Sequence, residues 1–193
     1  MRPPRHLDPR SAHPGRRTAA RRGSRHRSAR RDRSPIRLDA VRYWDDFAVG
    51  QVYELGSVEI TTEDIVDFAK QWDPQPFHLD DAAGRETPFH GIIASGWHTA
   101  SAFMRLYVDN LLLHCKAEGG FGVDELRWLK PVRPGDVLTA RATIEEVHAS
   151  KTRPRGTVRL RWEMFDRHGE PVLRMYGINL FGRRPAGAEA AAD

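Results

Sequence analysis

"SGWHTASAFMRLYVDNLLLH", residues 95–114, is the longest helical pattern in the chain. Trp97, Ala100, Ser101, Met104, Tyr107, Val108, Leu111 and Leu112 recur at three- and four-residue steps and predict one broad apolar face. The small residues Ala100, Ser101 and Ala102 suit close packing against a sheet, and "CKAEGG" ends the helix. The remainder of the chain has the two-residue period of strands. Phe121 to Lys130 is one run and "PVRPGD" turns it. Val137 to Val147 alternates through Leu138, Ala140, Ala142 and Ile144. Thr157 to Phe165 alternates strictly, "DRHGEP" makes a hairpin turn, and Val172 to Phe181 is the last strand.

Working back from the helix, Val52 to Ile60 reads as a strand and "TTEDIVDFAKQW" as a shorter helix. Thr61 and Asp64 approximate a capping box, and Ile65, Phe68, Ala69 and Trp72 keep helical spacing. Pro74 disfavours helical geometry at Asp73, so that helix stops there, and a loop runs to about Ala94. The order is strand, short helix, long loop, long helix, four strands. It predicts an α+β fold in which one antiparallel sheet curls around a single long helix.

The charge is distributed unevenly. Residues 1–38 hold thirteen arginines, no lysine and two acids, roughly +11. The whole chain is +5, which leaves the remainder at roughly −6. The basic balance therefore belongs to a tail, and it gives no ground for a nucleic-acid function of the folded part. The tail reads as a disordered extension or as a translation start placed too far upstream, the domain proper running over 39–183 and a flexible end over 184–193. A basic arm for nucleic acid or anionic lipid is the sharper but less economical reading. No apolar segment of signal-peptide or membrane-span length is present, which points to a cytoplasmic protein. Cys115 is the single cysteine, so no intrachain disulfide or cysteine-based zinc site forms.

The loop "WDPQPFHLDD", residues 72–81, is stiffer than a surface turn requires. Pro74 and Pro76 each fix φ near −65° on either side of Gln75. Fully extended, the five steps from Asp73 to His78 would separate them by up to about 17 Å, so both can serve one substrate only if the segment bends. Three readings follow. Asp73 caps the preceding helix and His78 is satisfied at the surface. Or His78, Asp80 and Asp81, with His90 or His98 folding back, bind a metal, although no second histidine stands at a helix-face spacing. Or Asp73 and His78 form an acid/base pair able to activate water near neutral pH.

"DPQPFHLD", then "PFHGIIASGWHTASAFMRL", then "RWLKPVRPGD" resemble the MaoC-like dehydratase family, to which the (R)-specific enoyl-CoA hydratases belong. The resemblance covers about residues 43–182, with the hydratase motif falling on Asp73, Pro76 and His78. It implies a hot-dog fold, a homodimer or higher homo-oligomer with the site at a subunit interface, and reversible hydration of a trans-2-enoyl thioester. His78 would deprotonate the water, and Asp73 would help hold it and take part in protonating the α-carbon. The Gly96 N–H would stabilise the thioester oxygen, with tight helix–sheet packing the alternative reading of that glycine. Ser95, Gln75, Phe77 and Trp97 would line the oxyanion and substrate site. No metal or redox cofactor is implied, CoA being part of the substrate. Gln75 stands where many of these hydratases have Asn, and Ser95 where they often have His. Phe103 and Met104 are further candidates for an acyl tunnel, against ordinary core packing. Arg127, Lys130, Arg133, Lys151, Arg153 and Arg155 are candidates for CoA phosphates, against a solvated surface. A thioester-binding module or partner subunit without catalysis, and a thioesterase, are the rival functions.

Overall fold

The structure is a computed structural model that describes residues 41–187. The arginine-rich stretch 1–38 lies outside the described residues. Five strands form one antiparallel sheet: β1 (Val52–Ile60), β2 (Ala117–Trp128), β3 (Asp136–Ala149), β4 (Arg155–Phe165) and β5 (Pro171–Gly182). Their spatial order is β1-β3-β4-β5-β2. Among the described residues four α-helices precede β2: α1 (Thr62–Trp72), α2 (Pro76–Leu79), α3 (Asp81–Arg85) and α4 (Gly96–Asn110).

Alternation decides which face of the sheet is covered. Leu138, Ala140, Ala142 and Ile144 on β3, and Val158, Leu160, Trp162 and Met164 on β4, are buried and belong to one core cluster. Phe103, Tyr107 and Leu111 of α4 and its C-cap join the same cluster. The Trp162 ring lies 5.4 Å from Phe103 and 4.9 Å from Tyr107, which locks helix to sheet. Gly177 makes room for that indole, since a β-carbon there would come within 2.0 Å of Trp162 Cη2. Asn110 Nδ2 donates to Leu55 O at 2.9 Å and ties the end of α4 to β1.

The α+β layout, β1, and the α1 capping box hold: Thr61 Oγ1 accepts from Asp64 N, and an Asp64 carboxylate oxygen accepts from Thr61 N. Other expectations are corrected. The buried line on α4 is Thr99, Phe103 and Tyr107, continuing to Leu111, while Trp97, Ser101 and Met104 are exposed. The large rings at the four-residue step take the sheet, and Trp97 turns away to meet Trp128, 5.5 Å between ring centroids. Trp72 likewise is exposed, and Ile65 and Ala69 carry the buried face of α1. The loop before α4 contains two short helices. The second strand starts earlier than expected, because Gly119 and Gly122 adopt positive φ and let a bulged strand pass through "EGGFG". Of the stretch expected to be a flexible end, residues 188–193 lie outside the described residues, and Arg184 is bonded to the domain. Arg184 N donates to Asp45 Oδ2 at 2.8 Å, and its guanidinium pairs with Asp46 and lies over the Tyr43 ring. Among the described residues no helix is long and apolar enough to cross a membrane.

Candidate active site

The proline-flanked loop is bent by two clips onto the segment before α4. Ile93 N donates to Phe77 O at 3.2 Å, and His78 Nδ1 lies 2.8 Å from Ile93 O. Ala94 N donates in turn to Val132 O at 2.8 Å, so this segment is held against "KPVRPGD". The bend brings His78 Nε2 to 3.4 Å from Asp73 Oδ2, in place of the wide separation of an extended chain. His78 is 4% exposed, which rules out a histidine satisfied at the surface.

A carbonyl oxygen can only accept, so the Nδ1–Ile93 contact requires the proton on Nδ1. In the neutral ring Nε2 then carries a lone pair and faces the Asp73 carboxylate. Both carboxylate oxygens of Asp73 are engaged. Oδ2 accepts from Ser95 Oγ at 2.6 Å and Oδ1 from Gln75 Nε2 at 2.8 Å. The Ser95 hydroxyl holds the Asp73 carboxyl below its ordinary value; partial burial opposes this, and Gln75 and His78 add to it.

Asp73, Gln75, Phe77, His78, Ser95, Gly96 and Trp97 all line one pocket of about 540 Å³. Sequence reasoning missed Trp128, which lies against Gly96, together with Phe89, Ile93, Thr99 and Val132 in the wall. Trp128 is the second residue of the quoted "RWLKPVRPGD", and its place in that stretch was the available signal. The structure removes Phe103 and Met104 as tunnel residues: Phe103 is fully buried in the core, Met104 is exposed, and neither lines the pocket. Lys130 does line it, but its ammonium is held by Asp166 at 2.6 Å and by Glu170. Arg133 spends a guanidinium nitrogen on Phe89 O, and Arg155 pairs with Glu118 at 3.5 Å.

The residues considered as metal ligands have separate tasks. Asp80 caps α3 through Ala83 N, Asp81 accepts from Ile92 N and Arg85, and His98 stacks on Phe68. His90 takes φ 56° at a turn. Among the described residues no group of three or more His, Cys, Asp or Glu is placed to hold a metal ion.

The family model for the MaoC like domain matches residues 46–163. The chain belongs to the MaoC-like dehydratase family, and its architecture is the hot-dog fold. It is 33% identical over 94 residues to YdeM of Bacillus subtilis (strain 168), covering 49% of this chain and 67% of that protein. The MaoC-like dehydratase of Rhodospirillum rubrum superposes with a TM-score of 0.69 at 37% identity, covering 74% of this chain and 98% of that one. The R-hydratase PhaJ1 of Pseudomonas aeruginosa shares the fold, with a TM-score of 0.59 at 23% identity over 78% of this chain and 94% of that one.

Proposed function

We propose that this protein adds water reversibly across a trans-2-enoyl thioester of the acyl-CoA type, giving a 3-hydroxyacyl thioester. The observation that carries the reading is the pair of acceptors 3.4 Å apart, the Nε2 lone pair of His78 and the Asp73 carboxylate. Both groups line the pocket, where one water molecule can be held between them and the substrate. The water oxygen bonds to the β-carbon as its proton leaves for His78 Nε2, and the pair returns a proton to the α-carbon. The sum is one water added across the double bond, with no oxidation or reduction.

Negative charge develops on the thioester oxygen during the attack. Gly96 is the first residue of the fifteen-residue α4 and lines the same pocket. At that helix position the N–H has no intrahelical acceptor and sits at the positive end of the dipole, which suits it to receive that oxygen. CoA belongs to the substrate, and the reading requires no metal or redox cofactor.

The reading includes a homo-oligomer. β2 is the edge of the sheet, exposed along nearly its whole length, with Phe121 70% and Val123 46% exposed. A second copy docked on this edge would cover the open side of β2 and the aromatic rim at the pocket mouth.

The test is loss of enoyl absorbance with crotonyl-CoA and longer trans-2-enoyl-CoAs, with thiol release followed in parallel. Hydration without thiol release, collapsing by about 10²–10⁴-fold in Asp73→Asn and His78→Gln, supports the reading. Thiol release, or no turnover from a folded protein at any chain length, rejects it.

A further inference from the structure

We propose that Ser95 is a positioning residue that holds Asp73 as a carboxylate facing His78, and that it is not a substrate-binding group. The hydroxyl has one proton, and that proton goes to Asp73 Oδ2 at 2.6 Å. Its lone pair accepts from Trp97 N at 3.2 Å, the N-capping bond of α4. Ser95 is 1% exposed, so neither bond competes with bulk water. The chain Asp73–Ser95–Trp97 N therefore fastens the carboxylate to the positive end of α4 through a buried, charge-assisted bond.

The position matters because the Asp73 side chain has few other donors to fix it. It follows the last residue of α1, at φ −151° and ψ 67°, outside the helix. Gln75, its other donor, is exposed and lies on the same loop. The Asp73 backbone N–H donates to Ala69 O of α1 at 3.0 Å, but among the described residues Ser95 is the donor that ties its carboxylate to a long helix. The groups facing this carboxylate are Gln75, His78 and Ser95, with Lys130 in the pocket wall already neutralised by Asp166 and Glu170. Removing the hydroxyl leaves a carboxylate that takes up a proton more readily and turns more freely. Protonated Asp73 loses its charge, accepts more weakly from the water shared with His78, and gains an O–H that can donate to His78 Nε2 instead.

The activity arm of the test rests on the hydration reading, but the titration arm does not. Glycine is nearly as good an N-cap as serine, so Ser95→Gly removes the hydroxyl while keeping the helix start. The Asp73 carboxyl ¹³C shift is followed against pH in wild type, Ser95→Gly and Ser95→Thr. The expected result is a midpoint that rises in Ser95→Gly and returns toward wild type in Ser95→Thr, with thermal unfolding little changed. In the hydration assay kcat falls about tenfold or more in Ser95→Gly with KM nearly constant, and the acid limb of the rate profile moves to higher pH. If Ser95→Gly does not fold, Ser95→Cys, near-isosteric but a weak donor, takes its place with the same expectation. An unchanged Asp73 midpoint in a folded Ser95→Gly or Ser95→Cys overturns the proposal. So does a raised KM with unchanged kcat, which would make Ser95 a substrate contact. If wild type shows no hydration at all, the function reading fails while the titration still decides the role of Ser95.

Discussion

The indole of Trp128 occupies the space that a side chain at Gly96 would need: a β-carbon there would lie 2.3 Å from Trp128 Cε2. Glycine at 96 therefore serves packing, and as the first residue of α4 it also lines the pocket. The two readings of this residue open at the level of sequence are compatible in space. Gly96→Ala forces either the indole or the helix start to move. Overpacking of this kind costs about 1–3 kcal/mol, and a displaced N–H costs transition-state stabilisation. The expected outcome is a folded variant with a lowered melting temperature and kcat/KM down by tenfold or more. The double variant Gly96→Ala/Trp128→Ala should recover stability beyond additivity, because the clash partner is gone, and a thermal double-mutant cycle measures that coupling.

The exposed edge at β2 makes a second prediction. Phe121 projects from that edge, and Phe121→Lys places a charge where a second copy would dock. Wild type should run above the monomer mass in light scattering after gel filtration, and Phe121→Lys should shift toward the monomer. Turnover should fall with the shift if the partner helps to close the pocket. A monomeric wild type with full hydration activity would remove the oligomer from the reading.

Much of this fold was legible because large and local signals agree in it. The strict alternation from Val158 to Met164 marks a strand with one buried face, and all four apolar residues are buried in the core. The Thr61–Asp64 capping box and the Pro74 stop set both ends of α1, and the structure keeps both. The phase of α4 was not legible. Its pattern includes Trp97 and Met104, which are apolar but exposed, and hydropathy does not separate a core ring from one at a pocket mouth. The site was legible as a set of residues but not as a set of bonds. The stiff loop left three readings of Asp73 and His78 open, the family resemblance favoured the pair, and the 3.4 Å approach itself was visible only in the structure. The bonds from Ser95 to Asp73 and from His78 to Ile93 span 22 and 15 residues, and spacing does not reveal them. The strand through "EGGFG" was missed because glycine normally weakens strands, and only its bulges explain it here.

Cys115 offers a check that is independent of substrate. Burial pushes its thiol up to about 12, and Sγ donates to Leu111 O at 3.1 Å. A thiol reacts through its thiolate, so at pH 8 the folded protein should react with a disulfide reagent far more slowly than the unfolded chain. The measured rate should track opening of the α4–β2 connection and rise steeply in denaturant. Fast, stoichiometric labelling of the native protein would mean that Cys115 is not packed as described.

His98 sets an acid limit on stability. Its ring stacks on Phe68 with centroids 5.0 Å apart, and burial lowers its pKa from the ordinary 6.5, while Asp64 on α1 opposes that shift. The folded state therefore favours the neutral ring. Below about pH 6.5 the unfolded chain takes up the proton first, so the unfolded state gains stability as pH falls. The loss of folding stability grows until pH passes the folded value and is constant below it. The urea midpoint of wild type should fall between pH 7.5 and 5.5, and His98→Gln should fall less over the same interval. The carboxylates with lowered values, Asp45, Asp73 and Asp81, lose their contributions only nearer and below pH 4, outside that window. The difference between the two proteins thus isolates the histidine, and equal slopes would mean that its ring is solvated in both states.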